Sequence, residues 1–290
     1  MKIILTIAGS DTSAGAGIQQ DLKTITALKH YALTVPTALT AQNTMGVTKV
    51  MAVPDEMIEA QIDAVLADFK IDAVKIGMLP ELTVAQIVVE KLSSLHVPIV
   101  CDPVMLSTSG TTLMSKECRE YVAENLFPLC TLVTPNIPEA TCLAMSYDNE
   151  PVIEKESRPL PNTYSNTEEH PTHCQQHSKT EDNKAEMLGS FLSKRYSTSF
   201  LIKGGHREDD IMRDTLITTD GKEYSFSSPK VMTRNLHGTG CTLSSAVASF
   251  LAEGLPIPEA VLKAKEVIDR GIRNAATLTI GNGNGPLWLF

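Results

Sequence analysis

The segment Asn235-Leu-His-Gly-Thr-Gly-Cys-Thr-Leu-Ser-Ser-Ala246 sets two glycines, Gly238 and Gly240, ahead of an apolar helical pattern of Leu243, Ala246, Val247, Phe250 and Leu251. Glycine lets the backbone turn sharply and brings bare N–H groups close to a ligand. A helix N-terminus adds orphan donors and partial positive charge. Together they make an anion hole suited to phosphate. Cys241 stands where that hole opens, so its thiol faces the bound anion. Read alone, the segment also suits a plain glycine-rich loop before a core helix.

Other short apolar runs end in groups of matching chemistry. Asp102-Pro-Val-Met105 follows the run 98–101 and puts a carboxylate at a strand's C-terminal end, where α/β proteins bind ligands. Asn136-Ile-Pro-Glu139 follows the run 130–133, and its i, i+3 spacing puts both side chains on one side of a first helical turn. Two oxygens there suit a hydrated Mg²⁺, although Glu139 alone reads equally as a helix-capping acid. Lys203-Gly-Gly-His206 offers a lysine that reaches a phosphate as a point charge, or a solvated loop lysine. The loop Ala8-Gly-Ser-Asp-Thr-Ser-Ala-Gly-Ala-Gly17 is glycine-rich, yet it fits neither the P-loop order nor G-x-G-x-x-G. Asp21, one turn into the next helix, is a dipole-complementing acid or a ligand contact. Each signal is weak singly. Four strand ends and one helix N-terminus carrying phosphate- or metal-type groups are strong jointly.

These groups need a scaffold, and the hydrophobic pattern supplies one. Strands are expected at 3–8, 33–40, 72–76, 98–101, 130–133 and 199–202, with helices over 17–29, 55–69, 83–95, 239–253 and 258–278. The first helix is expected to bury Ile18, Leu22, Ile25 and Leu28, and the last a stripe of Val261, Ala264, Ile268 and Ile272. Residues 213–227 read as a hairpin turning at Asp220-Gly221. Alternating strands and helices predict a mostly parallel sheet covered on both faces, a three-layer α/β/α domain spanning 1–290. The stretch 147–184 is rich in Pro, Glu, Asn, Thr and Ser, and is expected to be a mobile insertion between helices ending near Met145 and starting near Lys184. It contains His170, His173, Cys174 and His177, whose metal-like spacing needs a fixed helix that so polar a segment is not expected to provide.

Bulk composition narrows the classes. The 290 residues are 42% hydrophobic, enough for a large α/β core. A net charge of −9 without a basic run argues against a nucleic-acid partner. Six cysteines without a C-x-x-C pair read as reduced thiols in the cytoplasm. The apolar start Met1–Ala8 runs into Gly9-Ser-Asp11 and is expected to be a buried strand rather than a signal peptide. No run approaches membrane-span length.

In this order the motifs resemble the ribokinase-like kinases, and within them the hydroxymethylpyrimidine/phosphomethylpyrimidine kinases of thiamine biosynthesis. The matching segments are Ala8-Gly-Ser-Asp11 with Ala16-Gly-Ile-Gln-Gln-Asp-Leu-Lys23, Ala41-Gln-Asn-Thr44, Lys75-Ile-Gly-Met-Leu79, Asp102-Pro-Val-Met105, Thr134-Pro-Asn-Ile-Pro-Glu139, Lys203-Gly-Gly-His206, His237-Gly-Thr-Gly-Cys-Thr242 and Gly281-Asn-Gly-Asn-Gly-Pro286. The resemblance implies ATP and Mg²⁺ as cofactors. It implies phosphorylation of 4-amino-5-hydroxymethyl-2-methylpyrimidine and then of its monophosphate, by a homodimer. Gln42 would bind the aminopyrimidine edge, with Gly9, Asp21, Met78 and Val104 lining the pocket. Asp102, Asn136, Glu139, Lys203 and Thr239 would serve ATP phosphates, with Asp102 and Glu139 toward Mg²⁺. Gly238, Gly240 and Lys203 would hold the transferred phosphoryl group, and Cys241 would stand in the place of the aspartate base of other ribokinase-like enzymes. Helix-terminus placement is expected to lower its pKa toward neutrality. A pyridoxal kinase of the same fold is the alternative; Gln42 and Met78 favour the pyrimidine, and dual use stays open. A non-catalytic sensor would lack the phosphate groups, and an oxidoreductase would need a Rossmann fingerprint. One departure stands out: Ala14 occupies a position where the family usually has glycine.

Overall fold

Neighbouring residues of the strands point to opposite faces of one sheet, and this alternation builds two cores. A computed structural model describes residues 1–105, 112–145, 173–204 and 211–290, with the side chains of 173–181 outside the description. The strands are β1 (Ile3–Asp11), β2 (Tyr31–Asn43), β3 (Gly46–Ala52), β4 (Ala73–Ile76), β5 (Ile99–Cys101), β6 (Leu132–Val133), β7 (Ser199–Ile202), β8 (Ile211–Ile217) and β9 (Glu223–Pro229). Leu5, Ile7, Val74, Ile76, Val133 and Phe200 face one core; Ile4, Ala73, Val100, Leu132 and Leu201 face the other. Helices α2 (Asp55–Asp68), α3 (Leu82–Leu92), α4 (Lys116–Tyr121), α5 (Ile137–Met145) and α6 (His173–Tyr196) cover the first face. Helices α1 (Gly17–Ala27), α7 (Thr239–Ala252) and α8 (Ile257–Ala275) cover the second. The expected three-layer α/β/α architecture is therefore the observed one.

The strand order is β3-β2-β1-β4-β5-β6-β7-β8-β9. Strands β2, β1, β4, β5, β6 and β7 run parallel, and β3 and the β8–β9 hairpin add antiparallel edges. From β1 the chain first moves outward to β2 and β3, then returns to the other side of β1 as β4. That reversal opens a crevice at the carboxyl ends of β1 and β4, the position where open α/β sheets bind ligands.

Three expectations about elements are corrected. Strand β3 carries no sequence signal, because most of its residues are exposed and it pairs with β2 alone. Helix α1 buries Gln20, Asp21, Thr24 and Ile25, while Leu22 is 44% exposed. The polar face turns inward because α7 meets it with hydroxyls: Gln20 Nε2 donates to Thr242 Oγ1 at 2.9 Å and Ser245 Oγ to Asp21 Oδ1 at 2.7 Å. Helix α6 begins at His173 rather than near Lys184. Its second half is anchored by buried Ala185, Leu188, Leu192 and Tyr196, and the proline-free sequence after Pro171 lets the helix propagate backward. The rest of the expected insertion, including His170, lies outside the described residues, as do the side chains of His173, Cys174 and His177. Among the described residues no helix is long and apolar enough to cross a membrane.

Ala14 has φ 59°, the left-handed region its departure from glycine put in question. That conformation costs an alanine about 1–2 kcal/mol, and a glycine there would lose about 0.4–1 kcal/mol of unfolded-chain advantage. Ala14→Gly is therefore expected to raise stability by about 0.5 kcal/mol, seen as a higher thermal midpoint. A lower midpoint would contradict strain at this residue.

Candidate active site

The N-terminus of α7 is brought against the ends of β5 and β7. Gly238 caps α7 with φ 85°, and a Cβ there would lie 1.8 Å from the Gly15 carbonyl. Only glycine permits that turn and that approach. A Cβ on Gly240 would sit 3.1 Å from Asp102 Oδ2 and 3.5 Å from Lys203 Nζ. The missing side chains leave a cradle between helix N–H groups, a carboxylate and an ammonium. Thr239, the first residue of α7, stands half-buried at its rim.

Lys203 Nζ donates to Asp102 Oδ1 at 2.7 Å, and Thr134 Oγ1 adds a longer contact of 3.3 Å. Asn136 and Glu139 cap α5 reciprocally. Glu139 N–H donates to Asn136 Oδ1, and Asn136 N–H to Glu139 Oε2, both at 2.8 Å. The capping reading of Glu139 is thus realised, and Oε2 is spent on it. Burial raises the Glu139 pKa; Lys203 opposes the rise and Asp102 adds to it. Burial depresses the Lys203 ammonium, yet Asp102 and Glu139 more than offset this and raise its pKa. Two carboxylates thus share one lysine, and Asp102 Oδ2 faces the cradle.

Beneath the cradle lies a fully buried ion pair. Lys75 Nζ donates to Asp21 Oδ2 at 2.8 Å, with both side chains 0% exposed. Thr6 Oγ1 donates to the same oxygen at 2.6 Å, and Ser245 takes Oδ1. Asp21 is therefore enclosed by three donors and presents no surface to a pocket. Cys241 lies one turn before Ser245 on α7. Its thiol is pushed up to about 11 rather than down: burial raises it first, Lys75 lowers it, and Asp21 and Asp102 raise it further. The expectation of a near-neutral Cys241 is corrected by that burial and by two nearby carboxylates, which outweigh the helix terminus.

The other end of the crevice is a polar and apolar cup. A Cβ on Gly9 would meet Met78 Sδ at 2.9 Å, so glycine lets the thioether lie over β1. Val104 is half-buried just past β5, its N–H bonded to the Asp102 carbonyl at 2.8 Å. The Gln42 carboxamide lies 3.2 Å from His237 Nε2 and 3.2 Å from Thr40 Oγ1. His237 Nε2 in turn reaches Asp11 Oδ2 at 2.9 Å. Burial raises Asp11, but hydrogen bonds from His237, Ser13 and Ala16 outweigh it and bring the pKa to about 2. The tail closes this end: His237 N–H donates to the Gly285 carbonyl at 3.0 Å, and Asn284 N–H to the Thr44 carbonyl at 2.9 Å.

The crevice thus gathers Gly9, Gln42, Met78, Asp102, Asn136, Glu139, Lys203, Gly238, Thr239, Gly240 and Cys241 along the strand ends, with Val104 beside β5 and Asp21 below them. Lys75, Asp11 and His237 were given no role from sequence. A lysine inside the apolar strand Ala73-Val-Lys-Ile76 is the signal that could have found the first. The other two are legible only once the β1 loop and the segment before α7 meet.

A family model described as phosphomethylpyrimidine kinase matches residues 11–167 and 163–288. The chain is 40% identical over 289 residues to the hydroxymethylpyrimidine/phosphomethylpyrimidine kinase of Salmonella typhimurium, spanning 99% of this chain and 96% of that one. The crystal structure of phosphomethylpyrimidine kinase from Clostridium difficile superposes with a TM-score of 0.71 at 35% identity, covering 94% of this chain and all of that one. An ADP complex of Bacillus subtilis pyridoxal kinase gives a TM-score of 0.80 at 27% identity, covering 100% of this chain and 97% of that one. Backbone shape alone therefore does not separate the two kinds of kinase.

Gly240→Ala tests the cradle. Its methyl would press on Asp102 and Lys203 without entering a core, so folding is expected to survive. Misplacing the phosphate site by a fraction of an ångström to 1 Å is expected to lower phosphoryl transfer about 10²-fold. A folded variant with parental turnover would show that the cradle is not used.

Proposed function

The chain belongs to the phosphomethylpyrimidine kinase family, and on that premise we propose that it transfers the γ-phosphoryl group of ATP to 4-amino-5-hydroxymethyl-2-methylpyrimidine and then to the resulting monophosphate. The observation that carries this reading is the Gly240 cradle, where helix N–H groups, Asp102 and Lys203 converge at the carboxyl ends of the strands.

Phosphoryl transfer has a loose transition state in which positioning and charge neutralisation dominate. Lys203 supplies a fixed positive charge, Gly238 and Gly240 present backbone N–H groups to the transferred phosphate, and Thr239, whose N–H goes to the Leu236 carbonyl, offers its hydroxyl. Asn136 holds Glu139 in place through the reciprocal cap, and the Met105 N–H also bonds the Glu139 carboxylate. Mg²⁺ fits here: Asp102 and Glu139 are like charges crowded around one lysine, and a divalent ion that keeps its waters asks for only one or two carboxylates. When bound, it would neutralise phosphate charge. Gly9, Met78 and Val104 would wall the ring, with Gln42 reading its polar edge. Asp21 acts from beneath by holding Lys75.

The two steps differ in what they ask of Cys241. The alcohol must lose a proton, whereas the monophosphate is already an anion. A thiol held near 11 is mostly protonated at neutral pH, and its thiolate, once formed, is a strong base. The same proposal includes a homodimer, for which exposed Leu39 and Met51, paired across β2 and β3, offer an apolar surface. It also includes a cytoplasmic location, supported by reduced thiols at Cys101, Cys118, Cys130 and Cys241.

Turnover of ATP-Mg²⁺ with the pyrimidine alcohol, its monophosphate and pyridoxal, measured side by side, tests the reading. Both pyrimidines are expected to be phosphorylated in preference to pyridoxal, and failure of both would sink it. Thiolate grows about tenfold per pH unit below the thiol pKa, so the alcohol step is expected to accelerate from pH 7 toward 10 while the second step stays flat. Cys241→Ala should remove that rise and slow the alcohol step about 10²–10⁴-fold more than the monophosphate step. Equal losses in both steps would leave Cys241 a packing residue.

A further inference from the structure

Asp11, His237, Gln42 and Thr40 form one run of polar contacts at the open end of β2. The Asp11 carboxylate accepts from Ser13 N–H at 2.8 Å, Ser13 Oγ at 2.7 Å, Gly15 N–H at 3.1 Å and Ala16 N–H at 2.8 Å. A carboxylate ringed by donors is ionised and can only accept. His237 Nε2, 2.9 Å from its Oδ2, therefore carries a hydrogen. The same Nε2 lies 3.2 Å from one end of the Gln42 carboxamide. Carrying its hydrogen, it has no lone pair to accept an amide N–H, and that one hydrogen, directed at Asp11, can be shared only with a second acceptor, so the facing end is the amide oxygen.

The other end of the amide obeys a separate constraint. Thr40 has one hydroxyl hydrogen, and its Oγ1 lies 2.8 Å from the Ser10 carbonyl, which can only accept. With that hydrogen used, Thr40 Oγ1 can only receive a hydrogen from Gln42, at 3.2 Å. The end facing Thr40 is therefore the NH₂ group. With Nε2 against His237 and Oε1 against Thr40, the amide would meet donor with donor and acceptor with acceptor. Oxygen and nitrogen of a carboxamide have the same shape, so the hydrogen-bond network assigns them, and both neighbours demand the 180° turn. The backbone aims the group as well. Pairing of β2 with β3 slips between Ala41 and Gln42, leaving Thr48 opposite no partner, and such bulges re-aim side chains.

We propose that His237, backed by Asp11, and Thr40 lock the Gln42 amide with oxygen toward His237 and nitrogen toward Thr40, and so determine which ring edge the site accepts. This rests on the proposed function. Each amide end keeps one spare valence, a lone pair on the His237 side and an N–H on the Thr40 side. The complementary edge has an amino donor beside an unprotonated ring nitrogen, as in a 4-aminopyrimidine. The 4-oxo counterpart offers an acceptor beside an N–H, the reverse order. Were the amide free to turn, it would serve both edges. Locked, it leaves the oxo ring with opposed donors and opposed acceptors, the situation in which sites discriminate strongly. His237, Asp11 and Thr40 are positioning residues acting through Gln42.

The test compares kcat/KM for 4-amino-5-hydroxymethyl-2-methylpyrimidine with that for its 4-oxo analogue, 5-hydroxymethyl-2-methylpyrimidin-4-one. Thr40→Val and His237→Phe are expected to shrink the amino-over-oxo ratio about tenfold or more, while Thr40→Ser, which keeps the acceptor, retains it. The KM for ATP and the thermal midpoint report whether each variant is intact, and Thr40→Val carries the test if His237→Phe does not fold. A folded Thr40→Val with the parental ratio would overturn the inference even if its overall rate fell, because a merely structural loss lowers both substrates together. A parent that turns over neither pyrimidine would instead overturn the proposed function, and the inference with it.

Discussion

The buried pair of Lys75 and Asp21 is the interaction on which the rest of the site depends. An ammonium and a carboxylate removed from water are tolerated only when each is well paired, and breaking such a pair from one side is far worse than never having it. Here Asp21 draws donors from β1 through Thr6, from β4 through Lys75 and from α7 through Ser245. Two neighbouring strands and the helix packed on them are thereby fixed around one carboxylate. Helix α7 cannot slide along the sheet without unpairing it, so the Gly238–Gly240 turn stays against Asp102 and Lys203. Buried Lys75 also offsets part of the carboxylate field on Cys241.

Both ends of the crevice hang on the same short segment. His237 reaches the β1 and β2 loops, Gly238 presses on the Gly15 carbonyl, and Gly240 meets the β5 and β7 ends. Three residues thus join the ring-reading cup to the phosphate cradle. A Cβ on Gly15 would lie 2.4 Å from His237 Cδ2, so the first glycine-rich loop is shaped to receive this segment. That interlock explains why neither glycine-rich stretch fits a familiar nucleotide motif: each is built for the other as much as for a ligand.

Much of this was legible in the residues. Strand ends carrying Asp102, Asn136 and Lys203, and a helix opening at Gly238, were readable because period-2 and period-3.6 patterns locate the elements on which such groups must stand. The hidden parts have physical reasons. Strand β3 is exposed and leaves no amphipathic trace. Helix α1 turns polar residues inward because its neighbour supplies hydroxyls, which no pattern within α1 reveals. The Cys241 thiol rises first because the fold buries it and then because Asp21 and Asp102, distant in sequence, approach it. Glu139 was open between cap and ligand, and the fold gives it the cap through Asn136.

A double-mutant cycle on the buried pair measures the central claim most directly. Urea unfolding of Lys75→Met, Asp21→Asn and the double variant separates the pair from its surroundings. Each single change is expected to destabilise by about 3–5 kcal/mol, and the double to fall short of their sum by more than about 1 kcal/mol. Strictly additive losses, or a Lys75→Met variant as stable as the parent, would show that α7 is held in place by something other than this pair.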